Sequence, residues 1–200
     1  MRENYEKALN SLKRDNYDYA IELLTGIIAI NQEFAEARHF LRVAQRKKYI
    51  GAPPSKLSEA ISNIISIGYF IKALIFKLRN EPSLAILEYE KILANNPFSI
   101  WALLEQGKTF LYMELRDSAI YCFEEIYAVE QNNMTALKNL GKLYIDKGDY
   151  DRARASYKKL MEVHPHDHDA EKGLRNLDAL GAIKKNYSET QTPNDFKNEI

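Results

Sequence analysis

Three histidines, His164, His166 and His168, alternate with Asp167 and Asp169 in the stretch HPHDHD. Imidazole with carboxylate is a donor set that suits zinc or nickel. The same stretch reads as a connection between two helices, with Pro165 as a stop signal and Asp as a cap, so no metal is expected there. Cys122 is the single cysteine, which excludes an intrachain disulfide and a cysteine-rich zinc site. It adjoins Phe123 on an apolar helical face, no histidine stands at a fixed spacing to activate it, and an inert buried thiol is expected. Glu124, Glu125, Asp146 and Asp149 lie on amphipathic helices, where carboxylates ordinarily face solvent. No glycine-rich phosphate loop, nucleophile elbow or metalloprotease helix pattern occurs. The chain therefore reads as non-enzymatic, with no catalytic residue, cofactor or metal.

The elements that would position any functional residue are helices. Leu137, Leu140, Gly141, Tyr144 and Ile145 recur at steps of three and four, as do Tyr150, Ala153, Tyr157, Leu160 and Met161. That period faces one side of a helix to a core. Lys147-Gly148-Asp149 separates the two helices into a hairpin, which needs similar neighbours to bury its apolar face. Positive and negative residues number 28 each. This balance argues against a general nucleic-acid or anionic-membrane surface, which needs clustered Lys and Arg. The first twenty residues are polar and helical in pattern rather than an export signal, and a cytoplasmic location is expected. Ala60 to Leu78 is apolar nearly all round and about long enough to span a bilayer. Asn63, Lys72 and Lys77 interrupt it, and a central lysine costs at least about 2.5 kcal/mol in lipid. A buried helix is expected there, with no membrane.

A thirty-four-residue period runs through six columns. Ala85, Ala119 and Ala153 align, as do Tyr89, Phe123 and Tyr157, then Ile92, Ile126 and Leu160. Upstream, Ala73, Gly107 and Gly141 align, as do Phe76, Phe110 and Tyr144. Pro97 and Pro165 close two of the units. Small residues recur where helices would cross closely, and aromatics recur where a large side chain would fill the gap. In these columns the chain resembles the tetratricopeptide repeat (TPR) family, best in Leu137, Leu140, Gly141, Tyr144, Gly148, Tyr150, Ala153, Tyr157 and Pro165. Leu160 replaces a usual alanine, and Gln106 stands at a usual leucine column. The resemblance implies an all-α fold, a right-handed α-solenoid of antiparallel helix hairpins with a C-terminal capping helix.

The units expected are residues 1–50, degenerate TPR-like helices; 51–79, a proline break and a long apolar helix or helix pair; repeats at 66–99, 100–133 and 134–167; a capping helix at 168–180, ended by Gly181; and a disordered tail at 181–200. An adhesive tail using Tyr187 or Phe196 is the alternative. Register is lost between Ala20 and Ala85, which are three residues short of two periods. Across that break Leu57, Ile61, Ile64, Gly68, Ile71, Ile75 and Leu78 keep an alternating four-three spacing. It reads as one helix fusing two hairpins, with two helices turning near Gly68 as the alternative. Asn80 is expected to cap the next helix, with Pro82 in its first turn.

The resemblance also implies a concave groove lined by the first helix of each hairpin. Its columns place Phe70, Leu74, Trp101 and Tyr112 at an apolar upstream end. Lys108, Lys138, Asn139, Lys142 and Lys172 fall at a basic downstream end. Some family members clamp a chaperone's C-terminal carboxylate. The clamp columns hold Leu104, Lys108, Asn139, Asp169 and Gly173 here, so that role is not expected. Two readings follow. One is a protein-protein interaction module or scaffold that receives a peptide or partner segment in the groove. The other is a structural or oligomerisation module, a homo-oligomer whose groove is filled by its own N-terminal helices. A targeting part of a larger enzyme complex is a third class, for which no residue here supplies an active site.

Overall fold

The structure is a computed structural model that describes residues 1–190, with side chains for residues 1–182. Helices make up its regular structure, and no strand occurs among the described residues. The chain divides into two compact units, Met1–Gln131 and Asn132–Ile200. The first holds α1 (Arg2–Lys13), α2 (Tyr17–Ile30), α3 (Ala35–Gly51), α4 (Lys56–Leu78), α5 (Pro82–Asn95), α6 (Ile100–Tyr112) and α7 (Arg116–Val129). The second holds α8 (Met134–Asp146), α9 (Tyr150–Val163) and α10 (His168–Thr190). In the first unit α1 packs on α2, α2 on α3, α4 on α5, α5 on α6 and α6 on α7. In the second, α8 and α9 form a hairpin and α10 covers both.

The turn that ends the first helix of each hairpin has one geometry. Asn80, Glu114 and Gly148 stand thirty-four residues apart with φ of 59°, 60° and 77°, and Asp15 takes φ 56° in the first hairpin. The following amide reaches back five residues in each case. Glu81 N–H donates to the Phe76 carbonyl at 2.9 Å, Leu115 N–H to Phe110 at 2.9 Å and Asp149 N–H to Tyr144 at 2.8 Å. This is the helix end that a left-handed residue makes possible. Asn80 therefore supplies the left-handed turn rather than the cap. Glu81 occupies the cap position of α5, without a side-chain capping bond, and Pro82 opens the helix.

The repeated columns form the core. Ala85, Ala119 and Ala153 are fully buried, and so are Tyr89 and Phe123, with Tyr157 nearly so. A Cβ at Gly141 would stand 2.6 Å from Tyr157 Cε1, and one at Gly107 3.1 Å from Phe123 Cζ. The missing side chain on one helix is thus what lets the aromatic ring of the next lie on its backbone. Gly173 on α10 meets the opposite edge of the same Tyr157 ring.

Three features depart from the sequence reading. Residues 56–78 do form one helix, begun by the Ser55 hydroxyl accepting from Ser58 N–H at 3.2 Å. That helix is not a buried one, because Ala73 alone among its residues is buried. Nor do the N-terminal helices fill the face it presents: α3 packs on α2 and α7, and Ile67, Leu74 and Leu78 remain exposed. The reason lies in α3 itself. Its apolar stripe, Ala37, Leu41 and Ala44, is buried, but Arg38, Arg42 and Gln45 on the adjoining flank are buried too. Finally, α10 continues through Gly181 to Thr190 instead of stopping at residue 180. A helical glycine costs only about 1 kcal/mol, and no proline follows until Pro193. Residues 191–200, including Phe196, and the side chain of Tyr187 lie outside the described residues.

Candidate functional site

In the first unit α4 and α6 bring two predicted groove residues together. The rings of Phe70 and Trp101 meet edge to face, with centroids 4.2 Å apart and planes at 72°. Trp101 remains 41% exposed. Beside the pair a cleft of about 290 Å³ opens between α4, α5 and α6, lined by Ser66, Ile67, Ile92 and Ser99 as well as the two rings. It lies at the small end of ligand pockets, and Asn63 and Asn96 join the two serines in giving it a mixed polar and apolar lining. Leu74 is exposed one turn further along α4. Tyr112 is 69% exposed, and its hydroxyl donates to Asn80 Oδ1 at 2.7 Å. That bond ties the ring to the turn between α4 and α5.

The lysines are less free than a basic edge would require. Lys108 and Lys77 converge on Glu105 at 2.8 and 3.0 Å. Burial would raise the Glu105 carboxyl, but hydrogen bonds from Lys108 and Lys77 hold it below its ordinary value. In the second unit Lys138 pairs with Asp169, and Lys142 stands 3.9 Å from the same carboxylate. The hydrogen bond from Lys138 lowers Asp169, and Lys138 is raised in return. Asn139 is turned to its own helix, its amide donating to the Thr135 carbonyl at 2.7 Å. Lys142, Asp169 and Lys172 line a cleft of about 700 Å³ floored by Tyr157 and Gly173. The sequence reading missed Asp169 as the neutralising partner. Its presence at a clamp column was the available signal.

A second feature was not foreseen. Glu90 on α5 receives Arg38 Nε at 2.9 Å, Arg42 Nη2 at 2.9 Å and Gln106 Nε2 at 2.8 Å, all buried. Burial would raise the Glu90 carboxyl, yet the charges of Arg42 and Arg38 and the Gln106 amide hold it below the usual carboxylate range. Farther along α3, Arg46 pairs with Glu125, and His39 Nδ1 lies 3.2 Å from the same carboxylate. The hydrogen bond to Glu125 raises His39 against its partial burial. The signals were a glutamine in a leucine column and three arginines, 38, 42 and 46, spaced by four. The network joins α3 to α5, α6 and α7. Arg38 and Arg42 share the one Glu90 carboxylate, and Arg38 Nη2 is buried without a hydrogen-bond partner among the described residues; the network acts as a structural joint.

The residues that first suggested chemistry are held apart. Cys122 is buried and donates to Gln106 Oε1 at 3.4 Å. Burial pushes its thiol up to about 12, which keeps it protonated at neutral pH. His164 ends α9 and His168 begins α10. Among the described residues no three His, Cys, Asp or Glu side chains converge as a metal site would.

Residues 135–167 match the tetratricopeptide repeat family. The DnaJ protein P58IPK homolog B of Oryza sativa subsp. japonica is 23% identical over 192 residues, which cover 86% of this chain and 41% of that protein. The match thus spans about two fifths of that relative's length. The second TPR domain of human RPAP3, solved in complex with the HSP70 peptide SGPTIEEVD, has a TM-score of 0.52 at 13% identity, covering 58% of this chain and 98% of that one. The Sgt2 TPR domain of Aspergillus fumigatus has a TM-score of 0.51 at 20% identity, covering 68% and 89%. At such identities the structural likeness is one of fold. The fold is an all-α, TPR-like solenoid.

Proposed function

We propose that this tetratricopeptide-repeat protein is a non-enzymatic interaction module that takes an apolar side chain of a peptide or partner segment against Phe70 and Trp101. The observation that carries the reading is the edge-to-face pair, half open to solvent, at the mouth of the 290 Å³ cleft. An aromatic in such a position gives a rigid anchor of large area, the kind that dominates binding energy at protein interfaces. Leu74 and Tyr112 extend the apolar surface on α4 and α6.

The human RPAP3 domain was solved with a peptide ending in EEVD. We do not extend that ligand to this chain. Asp169 and Gly173 occupy two of the clamp columns, and Asp169 is an anion that holds Lys138 and approaches Lys142. A terminal carboxylate would meet repulsion from Asp169. The partner proposed here is therefore chosen by its apolar anchor rather than by a free C-terminus.

The test is calorimetry with a peptide selected from a display library on the full chain. Phe70→Ala and Trp101→Ala are each expected to weaken binding about tenfold or more, with the thermal midpoint unchanged. Equal affinity in both variants would refute the site. Loss of fold in Trp101→Ala would return that residue to the core.

A further inference from the structure

The long helix α4 carries a second surface, independent of the cleft beside Trp101. Leu57, Ile61, Ile64, Ile71, Ile75 and Leu78 are each between 42% and 81% exposed. With Gly68 they hold an unbroken four-three spacing over three heptads, the pattern of a helix that packs against another helix. At about 100° per residue, Ile64, Ile71 and Ile75 point roughly 160–180° away from Ala73, the one residue buried in the body of the unit. This seam therefore faces outward, while Phe70 and Leu74 on the flank remain available to the cleft. Isolated apolar residues on a surface need no explanation, but a contiguous helical stripe of them marks an interaction site.

We infer that a second copy of this chain covers the seam, with the two α4 helices packed antiparallel across Gly68. Three observations favour this occupant. The spacing is a helix-pairing spacing, and an identical helix satisfies it by two-fold symmetry. Gly68 lies at the midpoint between Leu57 and Leu78, and a Cβ there would meet nothing within 4 Å in its own chain. Its bare backbone is thus open to close approach where a two-fold axis would pass. The area is also adequate. A helix about 34 Å long with six large aliphatics on the seam is comparable in size to the roughly 800 Å² per partner that a stable interface needs.

A bilayer is the competing occupant, since α4 is long and apolar enough to cross a membrane by length and composition. Two features count against it. Lys72 sits amid the apolar run, and the C-terminal half of α4 is fixed to the rest of the unit through Ala73 and the Lys77–Glu105 ion pair. A helix so attached presents a face and does not stand free to span.

Sedimentation velocity of the full chain tests the inference against an Ile64→Glu, Ile71→Glu double variant. The wild type is expected to sediment as a dimer at micromolar concentration. The double variant should be a monomer with unchanged helicity, as both positions are exposed. A monomeric wild type, or a dimer that survives both substitutions, overturns the inference. Wild type that stays monomeric and instead floats with phosphatidylcholine–phosphatidylserine vesicles overturns it in favour of the membrane. A second measurement does not depend on the double variant. Gly68→Cys should form a disulfide-linked dimer on mild oxidation, with buried Cys122 silent as the internal control. Leu57→Cys, which the antiparallel arrangement puts far from its copy, should not. No linkage through Gly68→Cys would overturn the two-fold pairing, and linkage through both would overturn its antiparallel sense.

Discussion

Phe70 and Trp101 touch edge to face at a centroid distance of 4.2 Å, and neither ring is sealed into the core. Each comes from the first helix of its hairpin, Phe70 from the fused helix α4 and Trp101 from the first turn of α6. The repeat's packing columns do not require either. Phe76 and Phe110, the aromatics that those columns do require, lie elsewhere on the same helices, and Phe110 is fully buried. An aromatic pair outside the packing columns and open to solvent is the strongest functional mark on the molecule.

The joint around Glu90 sets the first prediction. Glu90→Gln removes the carboxylate between Arg38 and Arg42 and leaves two guanidinium groups buried without a counter-charge. A loss of about 3 kcal/mol is expected, measured by urea unfolding at neutral pH. Because the folded-state carboxyl is held below its ordinary value, its contribution is complete above the unfolded value of about 4.3. It is lost as pH falls through the folded value. The wild type should therefore show a steeper acid loss of stability than Glu90→Gln.

Glu114 holds a left-handed turn at φ 60°, where its Cβ is crowded at a cost of roughly 1–2 kcal/mol. Glu114→Gly is expected to stabilise the first unit by about 1 kcal/mol, because glycine adopts this conformation without that strain. Its own added chain entropy offsets part of the gain. A rise in the urea midpoint checks this. Gly148→Ala, the reverse change in the second unit, should lower stability by a similar amount.

Gly141 and Tyr157 give the third. A Cβ at Gly141 would overlap the ring edge at 2.6 Å, and Gly173 blocks retreat on the other side. Gly141→Ala is expected to cost about 1–3 kcal/mol by overpacking. Tyr157→Leu in the same chain should recover part of that loss, so the two effects will not add. Thermal denaturation of the two single variants and the double variant measures the coupling.

How far these features were legible in the sequence depends on what each obeys. The alanine, glycine and aromatic columns answer to close packing, which is local to a hairpin and recurs every thirty-four residues. They could be read directly. The fused helix was readable too, because no breaker except Gly68 stands between Leu57 and Leu78. The path of α3 was not, since burial of Arg38 and Arg42 depends on a carboxylate about fifty residues away. The misplaced Gln106 and the arginines spaced by four along α3 hinted at it. The basic edge was legible as a row of lysines, but the pairing of Lys138 with Asp169 is a matter of side-chain geometry. The end of α10 escaped because a lone glycine is a weak stop when nothing after it opposes a helix.

Asp169 supplies the fourth prediction. Asp169→Asn removes the anion shared by Lys138 and Lys142. Binding of a fluorescent Glu-rich peptide to the chain should strengthen roughly two- to fivefold at low salt. The gain should fade as salt screens it. Fluorescence anisotropy at two ionic strengths reads both effects, and the thermal midpoint should not move.

The central claim is that Trp101 meets the partner, and the chain offers a direct probe of it, since Trp101 is the single tryptophan. Its emission can be followed while a peptide selected on the full chain is titrated to saturation. The account predicts a blue shift and loss of iodide quenching that track binding, as a half-exposed indole is covered. Saturable binding, seen by calorimetry, with Trp101 emission and quenching unchanged would contradict it.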